Sequence, residues 1–527
     1  MSSNTSSNMS SRTDIEKVPE PQVTPRDQDS ESESISPEPS MLEAQPSEKP
    51  PHHIFTRGRK LQMVGIVSLA AIFSPLSSNI YFPALDDVSK SLHISMSLAT
   101  LTITVYMIVQ GLAPSFWGSL SDATGRRPVF IGTFIVYLIA NIALGESKNY
   151  GELMAFRALQ AAGSAATISI GAGVIGDITN SEERGSLVGI FGGVRMLGQG
   201  IGPVFGGIFT QYFGYQSIFW FLTAFGGVSL LSIMVLLPET LRPIAGNGTV
   251  KLTGMHKPFI YSITGQKGVI EGAQPEARKG KVTWLAVFAP LTFLVEKDVF
   301  ITLFFGSVVY TVWSMVTSST TDLFSEVYGL SSLQIGLTFL GNGFGCMSGS
   351  YLVGYLMDYN HRLTEREYCE QHGYPAGTRV NLKSHPDFPI EVARMRNTWW
   401  VIAIFVVATA LYGVSLRTHL AVPIILQYFI AFCSTGLFTI NSALVIDLYP
   451  GASASATAVN NLMRCLLGAG GVAVVQLIID ALTAEYTFIL LAGITLAMTP
   501  LLYIEDRWGP SWRHARERRL KAKANGN

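Results

Sequence analysis

Charge is the scarce ingredient of this chain. Asp, Glu, Lys and Arg make up 14% of its 527 residues, whereas 48% are hydrophobic. Soluble domains carry about 25% charged residues, so an ordinary soluble domain is excluded and the long apolar runs point to a polytopic membrane protein. Acidic residues are missing from the middle of every such run: Asp86, Glu146, Asp177, Asp298, Asp322, Asp358, Asp447 and Asp480 fall at or near the ends. A pump for cationic drugs or polyamines would want embedded carboxylates as counter-charges, and none is offered. Cysteine is scarce too. Cys346, Cys369, Cys433 and Cys465 form no C-x-x-C pair, which argues for reduced packing residues rather than a disulfide framework. Cys369 and His372 lack the other ligands of a zinc site. A net charge of zero gives no case for a nucleic-acid partner. No nucleophile–base set is present. The stretches "GQGIGP" (198–203) and "GNGFGCMSG" (341–349) lie in apolar helices with no preceding strand, so neither reads as a phosphate loop. An enzyme, a cofactor and a metal are therefore not expected.

What is present is a series of apolar segments of membrane-spanning length. Twelve fall near 62–84, 96–118, 128–146, 151–175, 187–211, 217–237, 299–321, 333–357, 398–416, 421–446, 454–480 and 485–504. All are expected as helices, because a lone lipid-exposed strand cannot satisfy its backbone. Residues 1–60 are Ser-, Pro- and Glu-rich without apolar periodicity and are expected as a disordered cytoplasmic tail rather than a signal peptide. Of the 37 Lys and Arg residues, Lys90, Lys148 and Arg417 fall outside and Arg157, Arg195 and Arg464 within spans if both termini are cytoplasmic, leaving 31 on the cytoplasmic side. That bias sets the orientation.

The chain also repeats itself. "GSLSDATGRR" and "GYLMDYNHR" both read G-x-x-x-D-x-x-x-R, placing Gly118, Asp122 and Arg126 236 residues before Gly354, Asp358 and Arg362. Asp177 precedes Arg195 by 18 residues and Asp447 precedes Arg464 by 17. The expected organisation is an N-terminal six-helix half (61–237), a cytoplasmic linker (238–298), a C-terminal six-helix half (299–504) with a cytoplasmic loop at 358–397, and a basic tail (505–527). Parallel repeats of this kind put substrate at their interface near the bilayer midplane.

At these residues the chain resembles the major facilitator superfamily. "GSLSDATGRRP" (118–128) is similar to its signature loop, "RALQAAGSAA" (157–166) to its fourth-span arginine motif, and "GQGIGPVFGG" (198–207) to its fifth-span antiporter motif. "VIDLYPGASASATAVNNLMRCLLGAG" (445–470) resembles the fungal drug:proton antiporter-1 branch, and "SPLSSNIYFPALDDVSKSL", both termini and the 358–397 loop resemble that branch's citrate exporters of filamentous fungi. The resemblance implies an all-α fold of twelve transmembrane helices and export of citrate across the plasma membrane. The implied partners are citrate or a related organic acid anion, protons and the lipid bilayer, with the chain a monomer. The alternatives are a drug:proton antiporter of the same fold and a non-transporting receptor, for which a folded output domain is wanting.

The charges inside the spans point the same way without the resemblance. Three arginines and no carboxylate make the interior net positive, which suits an anion, and a guanidinium matches a carboxylate in bidentate fashion. An arginine at a helix centre costs about 2.5–3.5 kcal/mol on insertion scales, so each needs a reason. Arg195 and Gln199 share one helix face, and Arg464 is expected to face them from the other half, with Asn460 and Asn461 a turn before it. Arg157 is a candidate ligand or a partner of helix carbonyls. Ser77, Ser78 and Asn79 follow helix-weakening Pro75 and either donate to substrate or join helices. Asp122, Arg126 and Arg127, with Gly354, Asp358 and Arg362, read as conformational latches. Gly198, Gly202, Pro203, Gly206 and Gly207 read as close packing and helix bending.

Overall fold

The computed structural model describes residues 53–179, 181–266, 268–270, 289–375, 380, 385, 387–396, 398–448 and 453–525. The expected tail lies outside these up to residue 52, as do parts of the linker and of the 358–397 loop. Hydrocarbon offers no hydrogen bonds, so a spanning backbone must satisfy its own groups. The described residues do so with helices, and no strand occurs among them.

Among the described residues, ten helices are long and apolar enough to cross a membrane. The first (Arg57–Ser91) is broken into shorter helical pieces; the next five are Met96–Thr124, Arg126–Gly145, Tyr150–Ile178, Ser181–Phe213 and Gln216–Leu236. After the linker come Lys297–Tyr328, Thr398–Ser415 and Ala421–Leu448. The last long apolar stretch, 457–516, is 60 residues, long enough for two crossings. Its helix is interrupted at Thr483, whose φ of 69° is left-handed. The chain doubles back there: Gln476 Nε2 donates to Asp322 Oδ2 at 2.8 Å near one end of the seventh span, and Arg516 Nη1 reaches Asp298 Oδ2 at 2.5 Å at the other. Ser332–His372, the remaining helix, occupies the eighth position with a glycine-rich, less apolar sequence. The twelve expected crossings thus all fall on helices. Several boundaries move: the first helix starts at Arg57, inside the expected tail, the second runs past 118 to Thr124, the fifth starts before 187 at Ser181, the seventh runs past 321 to Tyr328, the eighth past 357 to His372, and the last continues beyond 504 as Pro500–Asn525.

Local sequence starts the helices where they are needed. Ser95 Oγ accepts from Leu98 N (3.3 Å) and Asn149 Oδ1 from Glu152 N (2.9 Å). Ser331 and Gln334 form a reciprocal capping box. Each satisfies amides that the first turn leaves open. Along the third span Phe130, Phe134, Tyr137, Asn141 and Leu144 are buried, while Ile135, Ile139 and Ile142 form an exposed apolar face one and two turns apart. Outward apolar faces of this kind suit lipid. The four cysteines are buried and form no disulfide.

The linker caps the N-terminal half. Glu239 carboxylate oxygens accept from the backbone N–H of Arg126 (2.9 Å), Arg127 (3.2 Å) and Leu241 (2.9 Å), and from His256 Nδ1 (3.2 Å). Burial opposes its charge, yet these donors hold its carboxyl below the ordinary value. The face carrying this linker also carries the start of the first helix and the end of the last.

The halves meet from mid-span to the opposite, far face. Ser332 Oγ donates to Asp87 Oδ2 (2.7 Å), Thr321 Oγ1 to Phe82 O (2.8 Å), and Phe82 stacks on Phe339 at 5.8 Å. The fifth-span glycines make this possible. A side chain at Gly198, Gly202 or Gly206 would strike the first span, and one at Gly207 would strike the Ser332 carbonyl in the opposite half. Closer to the linker face, Gly189, Gly192 and Gly193 of the same helix front open space. The molecule is closed at the far face and splayed at the linker face. Pro203 lies inside an otherwise continuous helix. Gly206→Ala should lower stability by about 1–3 kcal/mol, as overpacking does, whereas Gly193→Ala should stay within about 0.5 kcal/mol. Thermal melts of the purified variants measure both.

Candidate substrate cavity

Between the halves lies a cavity with about 920 Å³ of atom-free space, its open mouth included. Broken helix builds one wall. Arg57–Ala71 ends before Ile72 and Phe73–Asn79 resumes around Pro75, with Asn79 Nδ2 donating to Pro75 O at 2.7 Å. This presents Ser74, Ser78 and Asn79 to the cavity, joined by Gln110 of the second span and by Arg195 and Gln199 of the fifth. The C-terminal half contributes Tyr310, Trp313, Ser314, Thr317, Ser434, Thr435, Phe438 and Arg464. Trp313 is held by its Nε1 donating to Asn342 Oδ1 at 2.9 Å. Arg195 and Arg464 are the sole charged residues among the described lining residues.

The two arginines are held differently. Arg195 has no hydrogen-bond or ion-pair partner among the described residues, and Arg464 lines the same cavity. Arg464 is parked: its guanidinium lies over Tyr310 (4.7 Å to the ring centroid) and Phe438 (5.1 Å), and Nη2 donates to Asn461 Oδ1 at 2.7 Å. Ring faces attract a cation most strongly where water is excluded. One arginine is thus exposed to an incoming anion, and the other is stored on aromatic faces beside it.

Four other expected ligands lie off the cavity. Arg157 is fully buried, sandwiched between Tyr81 (4.2 Å) and Tyr106 (4.5 Å), and donates to Gln160 Oε1 at 2.6 Å. Tyrosine faces stand where a carboxylate would. Ser77 Oγ bonds Tyr137 OH at 2.7 Å behind the same wall. Asn460 Nδ2 donates to Ser442 Oγ at 2.8 Å, and Asn461 turns to the second span. The expected set therefore divides: Arg195, Gln199, Arg464, Ser78 and Asn79 line the cavity, and Arg157, Ser77, Asn460 and Asn461 support its walls. Sequence reasoning missed Gln110 and the aromatic wall. Gln110 carried a readable signal, an amide four residues before Pro114. Tyr310 and Trp313 did not, since aromatics on apolar helices are ordinary packing residues.

A family profile of the Major Facilitator Superfamily matches residues 67–364. The chain belongs to the Major Facilitator Superfamily. It is 90% identical, over 527 residues and the full length of both chains, to "Citrate exporter 1" of Aspergillus niger. It is 31% identical over 472 residues to "MFS antiporter QDR2" of Candida albicans, covering 88% of this chain and 92% of that one. The crystal structure of the human organic anion transporter MFSD10 (TETRAN) matches with a TM-score of 0.51 at 17% identity, covering 84% of this chain and 99% of that one, a likeness of fold. As a member of this superfamily the chain is a multi-pass membrane transporter rather than an enzyme.

The superfamily's signature loop forms a charged cluster at the linker face. Arg126 Nη1 reaches Asp122 Oδ1 (2.5 Å) and its Nε reaches Asp177 Oδ2 (3.0 Å), so one guanidinium ties the ends of the second and fourth spans. Arg127 instead donates to the carbonyls of Met234 (2.7 Å) and Met255, holding the linker. Gly118 fronts open space and Gly354 a loose contact with Thr439. In the C-terminal half the acids match the repeat and the arginine does not. Arg362 is exposed to solvent. Arg394, on the short helix Ile390–Met395, takes the corresponding place, with Nε on Asp447 Oδ2 (2.8 Å) and Nη1 on Asp358 Oδ1 (3.4 Å). The repeat fixed the carboxylates, but the helix ran on past Arg362 and the loop returned a different guanidinium. Arg394→Gln should alter exposure of linker-face cysteine probes, and Arg362→Gln should leave it unchanged.

Proposed function

We propose that this chain exports citrate across the plasma membrane by alternating access, with Arg195 and Arg464 sharing the substrate's carboxylates. The carrying observation is that two arginines from opposite halves face one cavity whose described lining includes no carboxylate. Citrate is itself the missing counter-charge, and it has enough carboxylates to engage both guanidinia. The identity of 90% to a protein named citrate exporter supports the same reading. With both termini and the linker on the cytoplasmic side, as the Lys and Arg bias expects, the splayed face is cytoplasmic and the conformation is the one that loads substrate for export. Gln199, Ser78 and Asn79 then donate to the remaining substrate oxygens. Arg126 with Asp122, and Arg394 with Asp358, act as the linker-face latches. Coupling to protons would run through the protonation state of citrate, since the cavity offers no acid to carry them, and the functional unit is a monomer in the bilayer.

A drug:proton antiporter remains the second reading, favoured by the relative named antiporter at 31% identity. A cationic drug would meet two like charges in this cavity. Labelled citrate supplied to purified protein in vesicles, with imposed pH and potential gradients, separates the readings. A charge-assisted hydrogen bond contributes about 1.5–3 kcal/mol, so Arg195→Lys, which keeps the charge and loses the fork, should cut citrate transport roughly ten- to hundredfold at equal abundance. Normal citrate export by Arg195→Ala would end the assignment.

A further inference from the structure

One polar contact joins the halves at the level of the cavity without lining it. Pro114 sits inside the second span. Proline has no N–H, so the carbonyl four residues earlier, that of Gln110, is left without its helical donor. The donor comes from the other half: Asn461 Nδ2 donates to Gln110 O at 3.1 Å. Through its other end the same amide accepts the 2.7 Å bond from Arg464. Both ends of Asn461 are committed, one to the substrate-facing arginine of its own half and one to the backbone of the opposite half. The helices touch here, since a side chain at Gly111 would lie 3.0 Å from Cys465 Cβ. The contact reaches on into the first half, because Gln110 Nε2 donates to Ser74 Oγ at 3.2 Å.

We propose that Asn461 is the positioning residue that couples anion binding to separation of the two halves, an inference that rests on the anion-export reading above. A substrate carboxylate that engages Arg464 competes for the Nη2 donor that Asn461 Oδ1 holds. The amide then loses one of its two anchors and its grip on the Gln110 carbonyl weakens. This contact is one of those that must part for the far face to open. An occupied cavity therefore makes opening less costly than an empty one, which is the differential interaction a ligand needs in order to shift a conformational equilibrium. Asn461 does this without touching the substrate. Pro114 is the other half of the device, because it supplies the unpaired carbonyl.

The test compares unmodified protein with Asn461→Ala and Pro114→Ala in nanodiscs and proteoliposomes. Readouts are equilibrium binding of labelled citrate, KM and maximal rate of citrate transport, and spin-label distances across the linker face with and without citrate. Pro114→Ala restores a helical N–H to Gln110 and so competes with Asn461, leaving Arg464 and the cavity lining unaltered. Neither variant should bind citrate more weakly than the unmodified protein, because the amide that competes for Arg464 Nη2, or its anchor on Gln110, has been removed. Their maximal rate should fall about tenfold, a coupling of ordinary size, and citrate should no longer shift their distance distribution. If Asn461→Ala does not fold, Pro114→Ala decides alone. Unchanged rates and an unchanged citrate-driven shift in the variants overturn the inference. So does a loss of citrate binding in proportion to transport in Asn461→Ala, which would make Asn461 a direct ligand. If the unmodified protein binds no citrate, the export reading fails and this inference fails with it.

Discussion

Two arginines from opposite halves line one cavity whose described lining holds no carboxylate, and much of the molecule is arranged around that fact. Arg195 lines the cavity without a partner among the described residues, and Arg464 rests on Tyr310 and Phe438 with one hydrogen bond to Asn461. Like charges in a partly dehydrated cavity repel and stay hydrated. On the proposed account the substrate relieves this by arriving as a trianion, so binding and the electrostatics of closure become one process. Arg157 lies off that cavity. It is buried more deeply still, held between tyrosine faces with Nη1 donating to Gln160, while its Nε and Nη2 have no hydrogen-bond partner among the described residues.

Presenting those charges requires helices that are imperfect in specific places. Pro75 breaks the first span so that serines and an asparagine reach the cavity. Pro114 frees a backbone carbonyl for the opposite half, and the fifth-span glycines let that helix pack against its own half along one face and against the eighth span along another. The same glycines leave the linker-face third of the fifth helix open. Residues that would merely weaken a helix in a soluble protein here set which end of the molecule is closed.

The fold was legible because its signals are thermodynamic and local. Apolar runs of fixed length must become helices in hydrocarbon, and the repeated G-x-x-x-D-x-x-x-R spacing announced two halves. The charged cavity was legible for the same reason, since Arg195 and Arg464 are too costly to sit mid-span without purpose. What escaped depends on tertiary return paths. Arg362 satisfied the repeat, yet its helix continued and Arg394 came back from 36 residues beyond Asp358 to bind it. Asn461 sits on the right helix beside the right arginine, but spacing alone does not say that its amide turns toward Gln110. Tyr310, Trp313 and Phe438 look like any packed apolar face along their own helices, and they become a cavity wall only because the N-terminal half stands across from them.

The central claim is that Arg195 and Arg464 hold one anion between them. A double-mutant cycle on citrate binding tests it most directly, using Arg195→Gln, Arg464→Gln and the pair in purified protein. If the ligand is shared, the two losses should be non-additive by about 0.5–3 kcal/mol, as for residues that share a partner. Single variants that each bind citrate as the unmodified protein does would contradict the account.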